Sequence, residues 1–151
     1  MIFLVKVTID ADGCPVVQIS VELAKEYDLP SVIYCDTSHQ FDVPDATVKT
    51  ISKGADAVDF AILKDVEKGD IVVTQDYGLA AMVLAKGALC IDQNGREFTN
   101  ENIDQLLFTR HLGQKIRQAG GRTKGPKKRE KSANEIYGNK FRQLCERAIK
   151  Q

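Results

Sequence analysis

Phe3-Leu4-Val5-Lys6-Val7-Thr8-Ile9, followed at once by Asp10-Ala11-Asp12-Gly13-Cys14-Pro15, is the stretch that decides the fold. The first seven residues are mostly apolar and rich in branched side chains, which predicts a buried strand. Asp10 to Pro15 is the turn, and Pro15 suits the first position of a helix. Val16, Ile19, Leu23, Ala24 and Tyr27 then recur at helical spacing. A buried strand, a tight acidic turn and an amphipathic helix make the opening unit of an α/β protein.

The same alternation continues along the chain. Asp28-Leu29-Pro30 stops the first helix, and Ser31 to Cys35 reads as a second strand, with a third near Thr47 to Ser52. A helix from about Asp56 to Val66, a strand from Ile71 to Thr74, a short Ala-rich helix from Gly78 to Lys86 and a strand from Ala88 to Ile91 follow. Asn94-Gly95 is a turn. Four alternations of strand and helix predict an α/β fold with a Rossmann-like parallel sheet and helices on both faces. The remainder is helical. Ile103, Leu106, Leu107, Leu112 and Ile116 mark one long helix, ended by Gly120-Gly121. Ser132 and Glu135 have the spacing of a capping box for a last helix, whose apolar stripe is Ile136, Tyr137, Phe141, Leu144, Cys145 and Ala148. That stripe predicts a helix docked on the body.

With 151 residues, 43% hydrophobic and 28% charged, the chain is expected to form one domain over 1–151, with an acidic α/β body over 1–98 and a basic helical segment over 99–151. Net charge is zero, but residues 1–108 carry 8 Lys/Arg against 18 Asp/Glu, whereas residues 109–151 carry 13 against 3. The split predicts either a tail docked on its own acidic body or a polyanionic partner. The run from Met1 to Ile9 is too short to span a membrane, and Ile71 to Ile91 is interrupted by Asp76 and Lys86. No membrane partner is expected. Cys14, Cys35, Cys90 and Cys145 form no CxxC pair, so buried reduced thiols in a cytoplasmic protein are the expectation. The oligomeric state is not legible.

In open parallel sheets the working crevice lies beyond the carboxyl ends of the strands. Asp10 and Asp12 follow the first strand, and Asp76 follows the fourth in Thr74-Gln75-Asp76-Tyr77. If those strands are neighbours, their carboxylates approach each other. Asp56 and Asp59 share one face at the start of the preceding helix. Grouped carboxylates repel, and hard cations such as Mg²⁺ or Mn²⁺ relieve that repulsion through oxygen ligands. The plainer alternative is that strand-end aspartates cap helices and make turns. GxGxxG and GxxxxGK[ST] are both absent, so the two common nucleotide-binding signatures are missing. His39 and His111 read as a solvated loop residue and a helix-surface residue. Cys14, at a helix start but beside carboxylates, is a weak nucleophile candidate. The basic loop around Lys124-Gly125-Pro126-Lys127-Lys128-Arg129 has the composition of a phosphate-tracking segment or of a solvated linker.

Several motifs in order resemble the YaiI/YqxD family of bacterial proteins: Asp10-Ala-Asp-Gly-Cys-Pro, Gly69-Asp-Ile-Val-Val-Thr-Gln-Asp-Tyr-Gly-Leu-Ala, Asn102-Ile-Asp, Arg110-His-Leu, Lys115-Ile-Arg-Gln-Ala-Gly-Gly and Gly125-Pro. The resemblance covers nearly the whole chain. It implies a fold and site like those of PIN and NYN-type nuclease domains, in which acids after the first and fourth strands and on a mid-chain helix bind Mg²⁺ or Mn²⁺ and hydrolyse RNA. Asp10 and Asp76 take the first and last of those places. Lys53-Gly-Ala-Asp56 resembles the NYN pattern for the middle acid, with Asp59 as the other choice, and Asp12 is an auxiliary. The expectation is therefore a divalent-metal-dependent ribonuclease. Its catalytic residues would be Asp10, Asp12 and Asp76, and its metal ligands Asp10, Asp76 and Asp56 or Asp59. Arg110, Lys127, Lys128 and Arg129 would hold the RNA backbone.

Two other readings stand beside it. One is a non-catalytic RNA- or protein-binding module that keeps the same shell. The other is a phosphatase of the haloacid dehalogenase type, because Ile9-Asp-Ala-Asp-Gly-Cys resembles its DxDGT loop, with Asp10 as nucleophile. That reading needs an acidic pair late in the chain, and Cys14 stands where the threonine belongs.

Overall fold

The computed structural model describes residues 5–52, 54, 56–121 and 128–150. They form five helices and six strands, one strand more than expected: β1 (Val7–Asp10), α1 (Val17–Glu26), β2 (Ser31–Asp36), β3 (Ala46–Ile51), α2 (Ala57–Asp65), β4 (Ile71–Val73), α3 (Tyr77–Ala85), β5 (Leu89–Ile91), β6 (Glu97–Phe98), α4 (Asn100–Gln118) and α5 (Ser132–Ile149). They build one sheet in the order β3-β2-β1-β4-β5-β6. The first five strands are parallel and β6 is antiparallel to β5. The fold is a Rossmann-like α/β sheet. The antiparallel edge departs from the all-parallel expectation, because two residues carry no readable period.

Side chains alternate across the sheet and divide the core in two. Val7, Ile9, Ile33, Cys35, Ile71, Val73 and Ile91 face α1 and α5. Tyr34, Val72 and Cys90 face α2, α3 and α4, and Phe98 and Ile103 belong to the same layer. Both faces are therefore covered, which is why these strands read as apolar runs and not as alternating ones.

The basic C-terminal helix docks as its stripe predicts. Tyr137, Phe141, Leu144, Cys145 and Ala148 are buried, and α5 lies along α1. Tyr137 and Phe141 stack with ring centroids 5.6 Å apart. The buried Tyr137 hydroxyl meets Ser20 Oγ at 2.7 Å. Arg142 pairs with Glu26 at 3.5 Å, and Arg147 pairs with Glu97. Part of the charge split is thus satisfied within the molecule.

Three local expectations are corrected. Pro15 lies in the turn before α1, which begins at Val17, because the acidic loop needs two more residues to leave the sheet. Ile136 is 52% exposed, being adjacent in sequence to Tyr137, which takes the inward position. The Ser132/Glu135 capping box does not form, since the position before α5 is Lys131, already helical, with no side-chain cap. The capping box is found at α4, where Thr99 accepts from the Asn102 backbone N–H and the Asn102 side chain accepts from the Thr99 N–H. Among the described residues no helix is long and apolar enough to cross a membrane.

Candidate functional site

The strand register assembles the site. Val7 pairs with Ile71, Thr8 with Val72 and Ile9 with Val73, so the next residues outward, Asp10 and Thr74, emerge side by side on the α2/α3 face. Thr74 Oγ1 donates to Asp10 Oδ2 at 2.7 Å and accepts the Asp76 backbone N–H at 3.1 Å. Asp76 caps α3, its Oδ1 accepting from the backbone N–H of Gly78 at 2.8 Å and of Leu79 at 3.2 Å. The cap orients the carboxylate and leaves its second oxygen available. Asp59, in the first turn of α2, lies near enough for the charges of Asp76 and Asp10 to act on it.

The electrostatics record how closely these acids are held. Burial, with Asp76 and Asp12 nearby, raises the Asp10 pKa to about 6 against the pull of the Thr74 hydrogen bond. Asp59 is also raised to about 6, by desolvation first and then by Asp76, Asp10 and Asp56. Asp10, Asp59 and Asp76, from three elements, thus act on one another's charge near the β1/β4 crossing. Asp10, Asp12, Gln75, Asp76, Tyr77 and Arg110 line the cleft, with Arg110 Nη1 3.9 Å from Asp76 Oδ1. Gly13, in the turn after β1, adopts φ +73, a conformation that suits glycine, and its carbonyl accepts from Gln75 Nε2 at 3.3 Å.

Of the two choices for the middle acid, Asp59 is the one whose pKa the cleft acids Asp76 and Asp10 raise. Asp56 is exposed, stands just before α2 in the left-handed region at φ 62 and makes no side-chain cap. Its charge helps raise the Asp59 pKa.

Asp12 turns toward β2. The β1–β2 register, Asp10 opposite Tyr34, carries forward to set Asp12 beside Asp36, whose backbone N–H donates to Asp12 Oδ2 at 3.1 Å. His39 Nδ1 lies 2.9 Å from Asp12 Oδ1 and 3.1 Å from Asp36 Oδ1, and of these two carboxylates it has hydrogen-bond geometry toward Asp36. Asp12 Oδ1 is consequently a buried oxygen that accepts no hydrogen bond. Backbone and hydroxyl donation from Ser38, with His39, holds the Asp36 pKa below the ordinary carboxylate value. These three side chains offer converging ligand atoms of the kind a metal ion takes. His39 is therefore more than a solvated loop residue. Neither it nor Asp36 was singled out as a site residue from the sequence. The available signal was the acid closing an apolar strand, Asp36, with a histidine three residues on.

The basic candidates separate. Arg110 reaches the cleft. Arg129 donates within the chain, from Nε and Nη2 to Asn134 Oδ1 at 2.9 and 2.7 Å and from Nη1 and Nη2 to the Asn94 side chain and the Gln93 carbonyl at 3.1 and 3.0 Å. It straps the β5–β6 turn to the start of α5. Lys128 is exposed, and Lys127 lies outside the described residues. His111 is exposed on α4, as expected. Cys14 is a poor nucleophile, because burial raises its thiol pKa above the ordinary value. Cys35, Cys90 and Cys145 are buried free thiols.

A family model described as "Uncharacterized BCR, YaiI/YqxD family" matches residues 8–147. The chain is 58% identical over 139 residues to a UPF0178 protein of Exiguobacterium sibiricum, covering 92% of this chain and 95% of that one. It is 50% identical over 132 residues to a UPF0178 protein of Ruminiclostridium cellulolyticum, covering 87% and 86%. With a UPF0178 protein of Natranaerobius thermophilus the identity is 46% over 147 residues, 97% of each chain. No solved structure matches.

Proposed function

The chain belongs to the uncharacterised bacterial YaiI/YqxD family, and from that premise and the acidic cleft we propose that it is a divalent-metal-dependent ribonuclease with a PIN-like site. The observation that carries this reading is the cleft at the β1/β4 crossing lined by Asp10, Asp12, Asp76 and Arg110, beside the converging ligand atoms of Asp12, Asp36 and His39. The crossing is also the topological switch point of the sheet, where such folds place their ligands.

The donor set suits a hard cation. Asp10, Asp59 and Asp76 supply oxygen ligands whose mutual repulsion Mg²⁺ or Mn²⁺ would relieve. The buried Asp12 Oδ1, which accepts no hydrogen bond, fits a second cation held with Asp36 and His39. When bound, such a cation lowers the pKa of a coordinated water and neutralises charge developing on a phosphodiester. The chain's own residues do the positioning. Thr74 fixes Asp10 by donating to Oδ2, and the α3 cap fixes Asp76. Arg110 supplies a positive charge for a backbone phosphate at the edge of an otherwise acidic cleft. A cytoplasmic location accords with free cysteines throughout.

The test is a Mn²⁺ titration read by thermal unfolding, wild type beside Asp10→Asn, followed by incubation with labelled single-stranded RNA. Expected are saturable stabilisation in wild type, its loss in the variant, and RNA cleavage that stops with chelator. Tight RNA binding without turnover overturns the enzyme and favours the binding module. No Mn²⁺ response and no RNA binding overturns both and leaves Asp10 and Asp76 as structural residues.

A further inference from the structure

Helix α4 is amphipathic in a way that the described residues of its own chain do not use. Ile103 is buried, Leu106 and Leu107 pack partly against α3 and its surroundings, and Arg110 turns toward Asp76. At about 100° per residue, Phe108, Leu112 and Ile116 fall on the opposite side, and they are 64%, 49% and 41% exposed. Spaced at i, i+4 and i+8, they form a continuous apolar stripe facing away from the body. An exposed aromatic and two branched aliphatic residues in one line mark an interaction surface.

Charge on that outward face identifies the occupant. Glu101 and Asp104 flank the stripe on the N-terminal side and His111 and Lys115 on the C-terminal side, all exposed. A two-fold axis near residue 110 would set two copies of α4 antiparallel. Phe108 of one copy would lie on Leu112 of the other and the reverse, and Asp104 would lie by Lys115 at both ends. An acidic half and a basic half at matching distances from an apolar centre are self-complementary under a two-fold, the condition an isologous interface must meet. A nucleic acid has no use for the stripe, and an unrelated protein does not require that symmetry.

We propose that the outward face of α4 is a homodimer interface, formed by antiparallel pairing of α4 with its copy through Phe108, Leu112 and Ile116. From Glu101 to Ile116 this face is about 22 Å long and 10 Å wide. It falls below the ~800 Å² per partner of a standard interface, so the dimer is a reversible one. Arg110 and the cleft lie on the other side of α4 and stay open in the pair.

Sedimentation of the full chain from about 10 μM to 1 mM tests this, a range suited to the weak association of so small an interface. Wild type is expected to shift from monomer to dimer over that range, and Leu112→Asp, a change at an exposed position that leaves the fold intact, to remain monomeric. Asp104→Lys and Lys115→Glu are each expected to weaken association about fivefold or more, and the double variant to restore it to within about twofold. Three results each overturn the proposal: a wild-type monomer throughout, a dimer indifferent to Leu112→Asp, or a double variant no better than the singles.

Discussion

Thr74 Oγ1 stands between two acids, donating to Asp10 Oδ2 at 2.7 Å while accepting the Asp76 N–H at 3.1 Å. One hydroxyl thus ties the end of β1 to the start of α3, and it pulls the Asp10 pKa down against burial and two neighbouring acids. Loss of the hydroxyl should push that pKa above its present value of about 6. Mn²⁺ stabilisation measured from pH 5 to 8 should therefore move to higher pH in Thr74→Val and stay near wild type in Thr74→Ser. Identical pH profiles for wild type and Thr74→Val would show that Thr74 does not tune the site.

Holding Asp10 here costs stability. Its pKa is raised from 3.8 to about 6 in the folded chain, so the native state binds the extra proton between those values. Stability conferred by that proton is present below pH 3.8 and lost as pH rises through about 6. Above that pH, without metal, Asp10→Asn should be more stable than wild type by about 1–3 kcal/mol. Denaturant unfolding in chelator at pH 5 and pH 8 checks it, with the gap widening toward pH 8. A variant less stable than wild type at pH 8 contradicts the account.

Arg110 should contribute to RNA affinity through charge alone. Replacing it with Ala should weaken binding of single-stranded RNA and lower the slope of log affinity against log salt by about 0.7, the value for one released counterion on a single strand. Arg129→Ala should leave that slope unchanged, because its guanidinium is engaged by Asn134, Asn94 and the Gln93 carbonyl. Fluorescence anisotropy at several salt concentrations distinguishes the two. Equal slopes for wild type and Arg110→Ala would remove Arg110 from the binding surface.

The α1–α5 contact contains an asymmetric pair. Ser20 Oγ donates to the Val16 carbonyl at 2.6 Å, so in the 2.7 Å contact the Tyr137 hydroxyl is the donor. Tyr137→Phe removes one hydrogen bond and should cost about 0.5–1.5 kcal/mol. Ser20→Ala strands the buried tyrosine hydroxyl and should cost more, about 1–3 kcal/mol. Urea unfolding of the two variants gives the order, and a larger loss for Tyr137→Phe would reverse the donor assignment.

The alternation of apolar runs with helical periods carried the element order almost intact, because strands buried on both faces leave a signal that needs no tertiary information. Asp10 and Asp76 were legible for the same reason, each standing where an apolar run stops. β6 was not, since a two-residue strand has no period, nor was the capping box at Thr99 and Asn102, where Asn replaces the usual Glu or Gln. The spacing of Asp56 and Asp59 left the middle acid undecided. The path of the chain leaves Asp56 outside α2 in the left-handed region and brings Asp59 within the influence of the Asp76 and Asp10 charges.

The sequence by itself determined which residues end strands, and therefore which carboxylates stand at one edge of the sheet. Which of them meet was a matter for the tertiary structure alone. Placing β1 between β2 and β4 sets Asp10 beside Thr74 on one side and Asp12 beside Asp36 on the other. Strand order and register are long-range pairings across tens of residues, and local composition does not encode them.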